Sequence, residues 1–230
     1  MERTHFLLAG IIGSFALSCY ALVIVPQQQI GNLAPATKEE EGKIVDIYPI
    51  QNAAIEKGRA VYASEGCFYC HSQQVRDPQS GTDIERGWGE RRTVARDYIY
   101  EKPPFLGTTR LGPDLANVGS PKWRNESSDP DERRKPKRRD AAWQLLHLYA
   151  PQTIITESNM PPYRYLFEKR RITGQRSANA LNLTGKQALA DGWEVVPKPE
   201  AIALVSYLLS LDRSHPLAEV KGAAPGVAAK

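Results

Sequence analysis

The apolar residues of this chain are concentrated near its N-terminus. Residues 6–25 read FLLAGIIGSFALSCYALVIV, a stretch of twenty positions without a charged side chain. A helix of that length spans about 30 Å, the thickness of the hydrocarbon core of a bilayer. Secretory signal peptides usually have a shorter apolar region, of about 7–15 residues. We therefore predict a transmembrane anchor over residues 1–27, while a weak small-residue pattern at 34–36 leaves open whether the anchor is ever cleaved.

The charges on either side of this span give its orientation. Arg3 and the terminal amine precede it, whereas Lys38 and three consecutive glutamates at 39–41 follow it. The positive-inside rule then favours a cytoplasmic N-terminus. The rest of the protein would lie outside the cytoplasm, tethered by a polar linker over residues 28–48.

Helical spacing of apolar residues returns in three later stretches, at 52–65, 140–149 and 198–213. Asp140 is a good N-cap for the second of these helices, and Pro151 ends it. No segment shows a convincing alternation of apolar and polar residues, as a half-buried strand would. The pattern predicts an all-α domain with long loops over residues 49–214, a charged insertion around 121–140 and a flexible tail at 215–230.

Composition excludes several classes of protein. The net charge of +4 over 230 residues is too small by itself to indicate a nucleic-acid-binding protein. Three cysteines cannot all pair, and a secreted disulfide scaffold would contain more of them. The apolar residues outside the first span are too scattered for a second membrane crossing.

The cysteines instead point to a cofactor. Residues 67–71 read Cys-Phe-Tyr-Cys-His, the C-x-x-C-H pattern of covalent haem c attachment. Two thiols on one helical turn can form thioethers to the haem vinyl groups, and the next histidine can reach the iron. A redox dithiol would require a βαβ context, and a zinc site a fourth ligand, for which only His147 and His215 remain in the soluble part. We predict one covalently bound haem c on Cys67 and Cys70, with His71 as an iron ligand.

Met160 is our candidate for the second axial ligand. It is the only methionine after the initiator, and the two prolines that follow it keep the backbone extended and stiff. Together, a histidine and a methionine raise the reduction potential of a haem. His147 is the competing ligand. It lies between leucines in the middle of a predicted helix, however, where a core or interface histidine is the simpler interpretation.

The stretch Leu-Gly-Pro-Asp-Leu at 111–115 predicts a contact to the histidine ligand. A Gly-Pro turn can direct a backbone carbonyl at the imidazole of His71. Such a hydrogen bond fixes the orientation of the ring and makes it a more basic ligand. We assign this carbonyl to Pro113.

These segments together resemble the membrane-anchored mono-haem c subunit (subunit II) of cbb3-type cytochrome c oxidases. The likeness lies in the N-terminal span, GCFYCHSQQVR at 66–76, RLGPDLANVG at 110–119 and ESNMP at 157–161. It covers residues 1–120 and 140–167 well, and the C-terminal helix loosely. It implies a cytochrome c-like fold in which Cys67 and Cys70 carry the thioethers, His71 is the proximal ligand and Met160 the distal one.

The resemblance also implies a function. The haem domain would face the periplasm from the bacterial inner membrane, accept electrons from another c-type cytochrome and pass them to the integral-membrane haem-copper subunit that reduces oxygen. With both axial positions filled, the iron would have no place for a substrate. The chain would then be an electron-transfer subunit of an oxidoreductase complex without a catalytic site of its own.

Other functions remain open at this point. An anchored cytochrome c subunit of a nitric oxide reductase has a similar span, haem motif and distal methionine. A haem peroxidase or gas sensor would leave Met160 unbound and its iron five-coordinate. A zinc-stabilised tethered domain would contain no haem at all.

The chain also departs from the family pattern. Leu111 stands where the family usually has threonine, and residues 168–193 match poorly. The stretch 121–140 is unusually charged, with a basic run at 133–139 that could dock an acidic cytochrome, although most such runs are solvated loops.

Overall fold

The computed structural model describes residues 2–35, 37–48, 51–121, 123 and 139–216. Most of the basic run at 133–139 therefore lies outside the described residues. The regular elements are α1 (Glu2–Cys19), a π-helical segment (Tyr20–Ile24), α2 (Val25–Ile30), β1 (Thr37–Glu40), β2 (Lys43–Asp46), α3 (Ala53–Ser64), α4 (Cys67–Cys70), α5 (Ala141–Tyr149), α6 (Pro151–Ile154), β3 (Phe167–Arg171), β4 (Trp193–Pro197) and α7 (Pro199–Ser210). Short 3-10 turns lie at Ala95–Tyr98, Arg164–Leu166 and Gly185–Gln187.

The chain divides into two compact units. The first is Met1–Ile47 with Val94–Lys102, and the second is Tyr48–Thr93 with Pro103–Lys230. The domain boundaries inferred from the sequence stay predictions.

The first unit contains the predicted membrane span. A continuous helical stretch, Arg3–Ile30, is long and apolar enough to cross a bilayer, and none of its apolar window is buried within the protein. Pro26 has no N–H to donate to the preceding turn. The helix continues there through the π-helical segment, in which the Val25 N–H donates to the Tyr20 carbonyl. The predicted apolar N-terminal helix is confirmed.

The second unit is built on the contact between α3 and α7. Helix α3 begins at the predicted place, because the Asn52 side chain accepts a hydrogen bond from the Ile55 N–H at 3.0 Å. Gly58 lets the two helices approach so closely that a Cβ there would lie 2.6 Å from the Ala203 carbonyl carbon. Buried side chains from both helices join one apolar core, among them Ile55, Tyr62, Leu204, Tyr207 and Leu208.

Helix α5 packs at the edge of this core and begins as predicted. Its N-cap, Asp140, accepts a hydrogen bond from the Trp143 N–H at 3.0 Å. Among the described residues the structure is mainly helical, which confirms the predicted fold class.

The structure also contains two short strand pairs that the sequence pattern did not indicate. The β1–β2 pair is an antiparallel hairpin, in which Glu41 and Gly42 both have positive φ, as in the two-residue turns that suit the twist of a hairpin. The second pair, β3–β4, is antiparallel and joins the two ends of the segment that begins at Phe167 and ends at Pro197. Within the part of the chain that the structure describes, each sheet has two strands.

Candidate haem-binding site

The C-x-x-C-H motif lies on a separate helical turn directly after α3. Helix α3 ends at Ser64 with Glu65 as its C-cap, and Gly66 then adopts the left-handed conformation with φ of 69°. A side chain at residue 66 would be strained in this conformation, and its Cβ would lie 2.9 Å from Tyr69. Gly66 therefore lets the chain turn sharply into α4, which holds both cysteines, and His71 follows in an extended conformation.

The predicted contact between His71 and Pro113 is present. Nδ1 of His71 lies 2.8 Å from the Pro113 carbonyl oxygen, across 42 positions of sequence. A carbonyl only accepts hydrogen bonds, so Nδ1 must carry the proton and Nε2 must present a lone pair. The ring is thus held in the tautomer that can bind a metal through Nε2.

Electrostatics also favours a neutral His71. Burial lowers the pKa of the imidazole, and the hydrogen bond to Pro113 and the Asp114 carboxylate oppose this shift only in part. A neutral imidazole is the form that binds a metal.

The two cysteines are free thiols. Cys67 is half-buried against the core, whereas Cys70 is exposed. Burial, reinforced by the nearby Glu65 carboxylate, raises the pKa of the Cys67 thiol to about 12. Redox-active dithiols depend on a lowered pKa that yields a thiolate, so this environment argues against the redox dithiol.

The structure gives no support to a zinc site either. Within the described ranges, no group of three or more His, Cys, Asp or Glu side chains is arranged to hold a metal ion. Zinc would need four such ligands in tetrahedral geometry.

Met160 packs against the same apolar core as Cys67. Its backbone is held from helix α6, where the Gln152 amide donates to the carbonyls of Ser158 at 3.0 Å and Met160 at 3.1 Å. The Ser158 hydroxyl in turn accepts a hydrogen bond from the Met160 N–H at 3.2 Å. The loop is therefore fixed by side chains as well as by the prolines that follow it.

His147 lies in helix α5 and stacks on Trp143, with ring centroids 4.8 Å apart and an angle of 13°. Burial lowers its pKa to about 4, and the proximity of His71 and Arg139 shifts it in the same direction. His147 is therefore neutral at physiological pH, and its buried Nδ1 has no hydrogen-bond partner among the described residues. The assignment of His147 as the competing ligand stays a prediction.

These residues fit a haem. Two free thiols on one turn are available for thioethers, and an imidazole of fixed tautomer and a thioether held by its loop are the donors found in electron-carrying haem proteins. Space for the imidazole comes from Gly112, since a Cβ at that position would overlap the ring of His71.

A comparison with known families agrees with this site. The model of the family described as cytochrome c oxidase, mono-heme subunit/FixO, matches residues 12–126 and 121–187, well over half of the chain. The chain belongs to the FixO family. This confirms the resemblance to the mono-haem subunit of cbb3-type oxidases, and the family's description implies a haem and a cytochrome c oxidase complex. No curated protein matches the chain.

Three residues support the site in this FixO-family chain although the sequence did not predict their roles. They are Gln152, which holds the Met160 loop, and the buried carboxylates Asp83 and Asp114. Asp114 lies inside the 111–115 motif and could have been found by its position beside Pro113. Gln152 and Asp83 lie in no motif, and their partners are brought together only by folding.

Proposed function

We propose that this chain is a membrane-anchored, mono-haem c-type cytochrome that passes electrons to the haem-copper catalytic subunit of a cbb3-type oxidase. Membership of the FixO family supports the haem and the oxidase complex. The finer assignment depends on the residues around the C-x-x-C-H turn.

Cys67 and Cys70 would hold the haem through thioethers, and His71 and Met160 would bind its iron. The single observation that carries this assignment is the hydrogen bond from Nδ1 of His71 to the Pro113 carbonyl. It fixes the tautomer with a free Nε2 lone pair and increases the basicity of the ring as a ligand. When bound, the haem supplies a one-electron Fe(III)/Fe(II) couple.

His71 and Met160 would together hold the iron from the protein side and leave no place on it for oxygen or peroxide. The Gln152 hydrogen bonds would keep the Met160 loop in place for this role. The chain therefore exchanges electrons with neighbouring proteins. The family match favours an oxidase complex over a nitric oxide reductase.

The N-terminal helix would anchor the cytochrome in a membrane. It is long and apolar enough to cross a membrane, and we propose that it remains as an anchor in the bacterial inner membrane with the haem unit on the periplasmic side. An anchored carrier stays at high effective concentration beside an integral-membrane acceptor. Its electron donor would be another c-type cytochrome.

The test is the absorption spectrum of the full-length protein, purified in detergent after expression with the haem-attachment machinery. We expect a c-type pyridine haemochrome and a sulfur-to-iron charge-transfer band. Met160→Ala should abolish the band, whereas His147→Ala, the matched control, should retain it.

Each alternative predicts a different result. If the band survives Met160→Ala, Met160 is not an iron ligand. If the wild type lacks the band and His147→Ala alters the spectrum, His147 is the ligand. A five-coordinate, high-spin spectrum would indicate a haem enzyme or sensor. Absence of haem from the wild type would refute the proposal.

A further inference from the structure

The two segments that hold His71 and Pro113 are joined by a series of backbone hydrogen bonds. The Thr108 N–H donates to Phe68 at 3.1 Å, the Gly112 N–H to Cys70 at 3.0 Å and the Leu115 N–H to Ser72 at 2.8 Å. The contact between His71 and Pro113 lies within this series. Its geometry therefore depends on the register between the two segments, which are separated by a long excursion of the chain.

Asp114 fixes this register from one side. It is 1% exposed, and its carboxylate accepts hydrogen bonds from the Ser72 hydroxyl at 2.6 Å and the Gln74 N–H at 2.7 Å. A third bond, from the Ala116 N–H at 2.8 Å, holds the carboxylate within its own turn. Hydrogen bonds to a charged acceptor are stronger than those between neutral groups.

Asp83 lies in the stretch of chain between these two segments and also links them. Its side chain is fully buried, and one carboxylate oxygen accepts a hydrogen bond from the Arg76 N–H at 2.8 Å while the other pairs with the Arg76 guanidinium at 2.9 Å. The Arg110 guanidinium also pairs with Asp83, and its second terminal nitrogen donates to the Gln74 carbonyl. One carboxylate thus binds an arginine from each segment.

We propose that Asp83 is a positioning residue for His71. By holding Arg76 and Arg110 together, Asp83 fixes the position of the Pro113 carbonyl relative to the imidazole. Arg110 is three residues before Pro113, and Arg76 is five residues after His71. This inference rests on the proposed role of His71 as an iron ligand.

The charge of Asp83 is essential to this arrangement. Without the carboxylate, the guanidinium groups of Arg76 and Arg110 would lose the charged partner that they share, and like charges at short range repel. The Arg110 side chain is 21% exposed and therefore partly buried in this arrangement. We therefore expect the 110–113 segment to shift and the bond between His71 and Pro113 to weaken.

The experiment measures hydrogen exchange of the His71 Nδ1–H by NMR in the haem-loaded, full-length protein. In Asp83→Asn we expect exchange at least about tenfold faster than in the wild type, since one weakened hydrogen bond makes a difference of this order. Asp83→Glu, which retains the charge, should partly restore slow exchange. Asp77→Asn is the matched control, because this exposed carboxylate lies 3.8 Å from Arg92 and its turn-forming oxygen is retained in asparagine.

Arg110→Gln is a second variant for the case in which Asp83→Asn does not fold. It leaves the pair between Asp83 and Arg76 intact and should also accelerate the exchange. If the His71 Nδ1–H of a haem-loaded Asp83→Asn variant exchanges at the wild-type rate, the inference is overturned. The same result in Arg110→Gln overturns it if only that variant folds. Either result leaves the proposed function standing. Failure of the proposed function would instead show itself as a wild-type protein without a c-type haem.

Discussion

The imidazole of His71 packs directly on Gly112, so that its Nδ1 is 2.7 Å from the place where a Cβ of residue 112 would lie. The backbone of Gly112 does not have a positive φ, so glycine is required here for space. The residue next to the hydrogen-bonding Pro113 thus also forms the surface on which the ring rests.

Gly112→Ala tests this packing. The added methyl group should displace the ring and weaken its hydrogen bond to Pro113, with a loss of unfolding free energy of about 1–3 kcal/mol from overpacking. A redox titration should show an altered reduction potential, and chemical denaturation gives the stability. The neighbouring Leu111→Ala is the control, because Leu111 is 80% exposed and its truncation should leave both quantities nearly unchanged. Equal behaviour of the two variants would contradict the packing argument.

Gln152→Ala tests the support of the Met160 loop. Loss of two hydrogen bonds to loop carbonyls should cost about 1–2 kcal/mol of unfolding free energy. Because the loop would also become more mobile, we expect a weaker sulfur-to-iron band that fades at a lower temperature than in the wild type. Thr153→Ala alters the exposed neighbour on the same helix and should have little effect. If the sulfur-to-iron band of Gln152→Ala fades at the same temperature as in the wild type, the prolines after Met160 are sufficient to hold the loop.

Gly58→Ala tests the contact between α3 and α7. In an exposed helix this change would stabilise by about 1 kcal/mol, because alanine has the higher helix propensity. Here the new methyl group would lie 2.7 Å from the Tyr207 Cβ and close to the Ala203 carbonyl, so we expect a net loss of about 1–3 kcal/mol. Ala60→Gly, at an exposed position of the same helix, measures the effect of helix propensity alone on the free energy of unfolding. Urea denaturation that finds Gly58→Ala more stable than the wild type would contradict the close contact.

Asp83 should contribute to stability in a pH-dependent way. Burial by itself would raise its pKa, but hydrogen bonds from Arg76 and Arg110 outweigh this and lower the pKa to about 2, from an ordinary value of 3.8. A carboxyl group with a lowered pKa in the folded state stabilises the protein above the unfolded-state pKa, and this stabilisation disappears as the pH falls through the folded-state value.

We therefore expect Asp83→Asn to be about 2–3 kcal/mol less stable than the wild type at pH 7, because it removes the shared partner of two arginines. The difference should remain nearly constant down to about pH 4 and shrink between about pH 4 and pH 2. Denaturation curves at a series of pH values measure it. A difference that is constant across that range would mean that folding does not lower the pKa of Asp83.

Local signals predicted much of this structure. Helices α3, α5 and α7 follow from apolar spacing, and the N-cap predicted for α5, Asp140, accepts the expected backbone hydrogen bond. The contact between Pro113 and His71 was also predictable, because the two motifs together restrict what a Gly-Pro turn can do.

The strands and the buried carboxylates could not be predicted in the same way. Strand β3 is buried only at Phe167 and exposed along the rest of its length, while β4 is buried at four consecutive positions. Alternation arises only when one face of a strand is covered, so neither sequence shows it. The partners of Asp83 lie 7 and 27 positions away, and nothing local indicates that all three side chains meet.

The packing of α7 on α3 has a consequence for the order of events during biosynthesis. The buried hydrogen bond between Gln73 and Tyr207 joins residues 134 positions apart, and contacts over such separations form late, because a long loop must first close. Until α7 has been synthesised, the turn with Cys67 lacks the helix that completes its apolar core. If Cys67 and Cys70 hold the haem as proposed, we expect its attachment to precede closure of the last helix on this core.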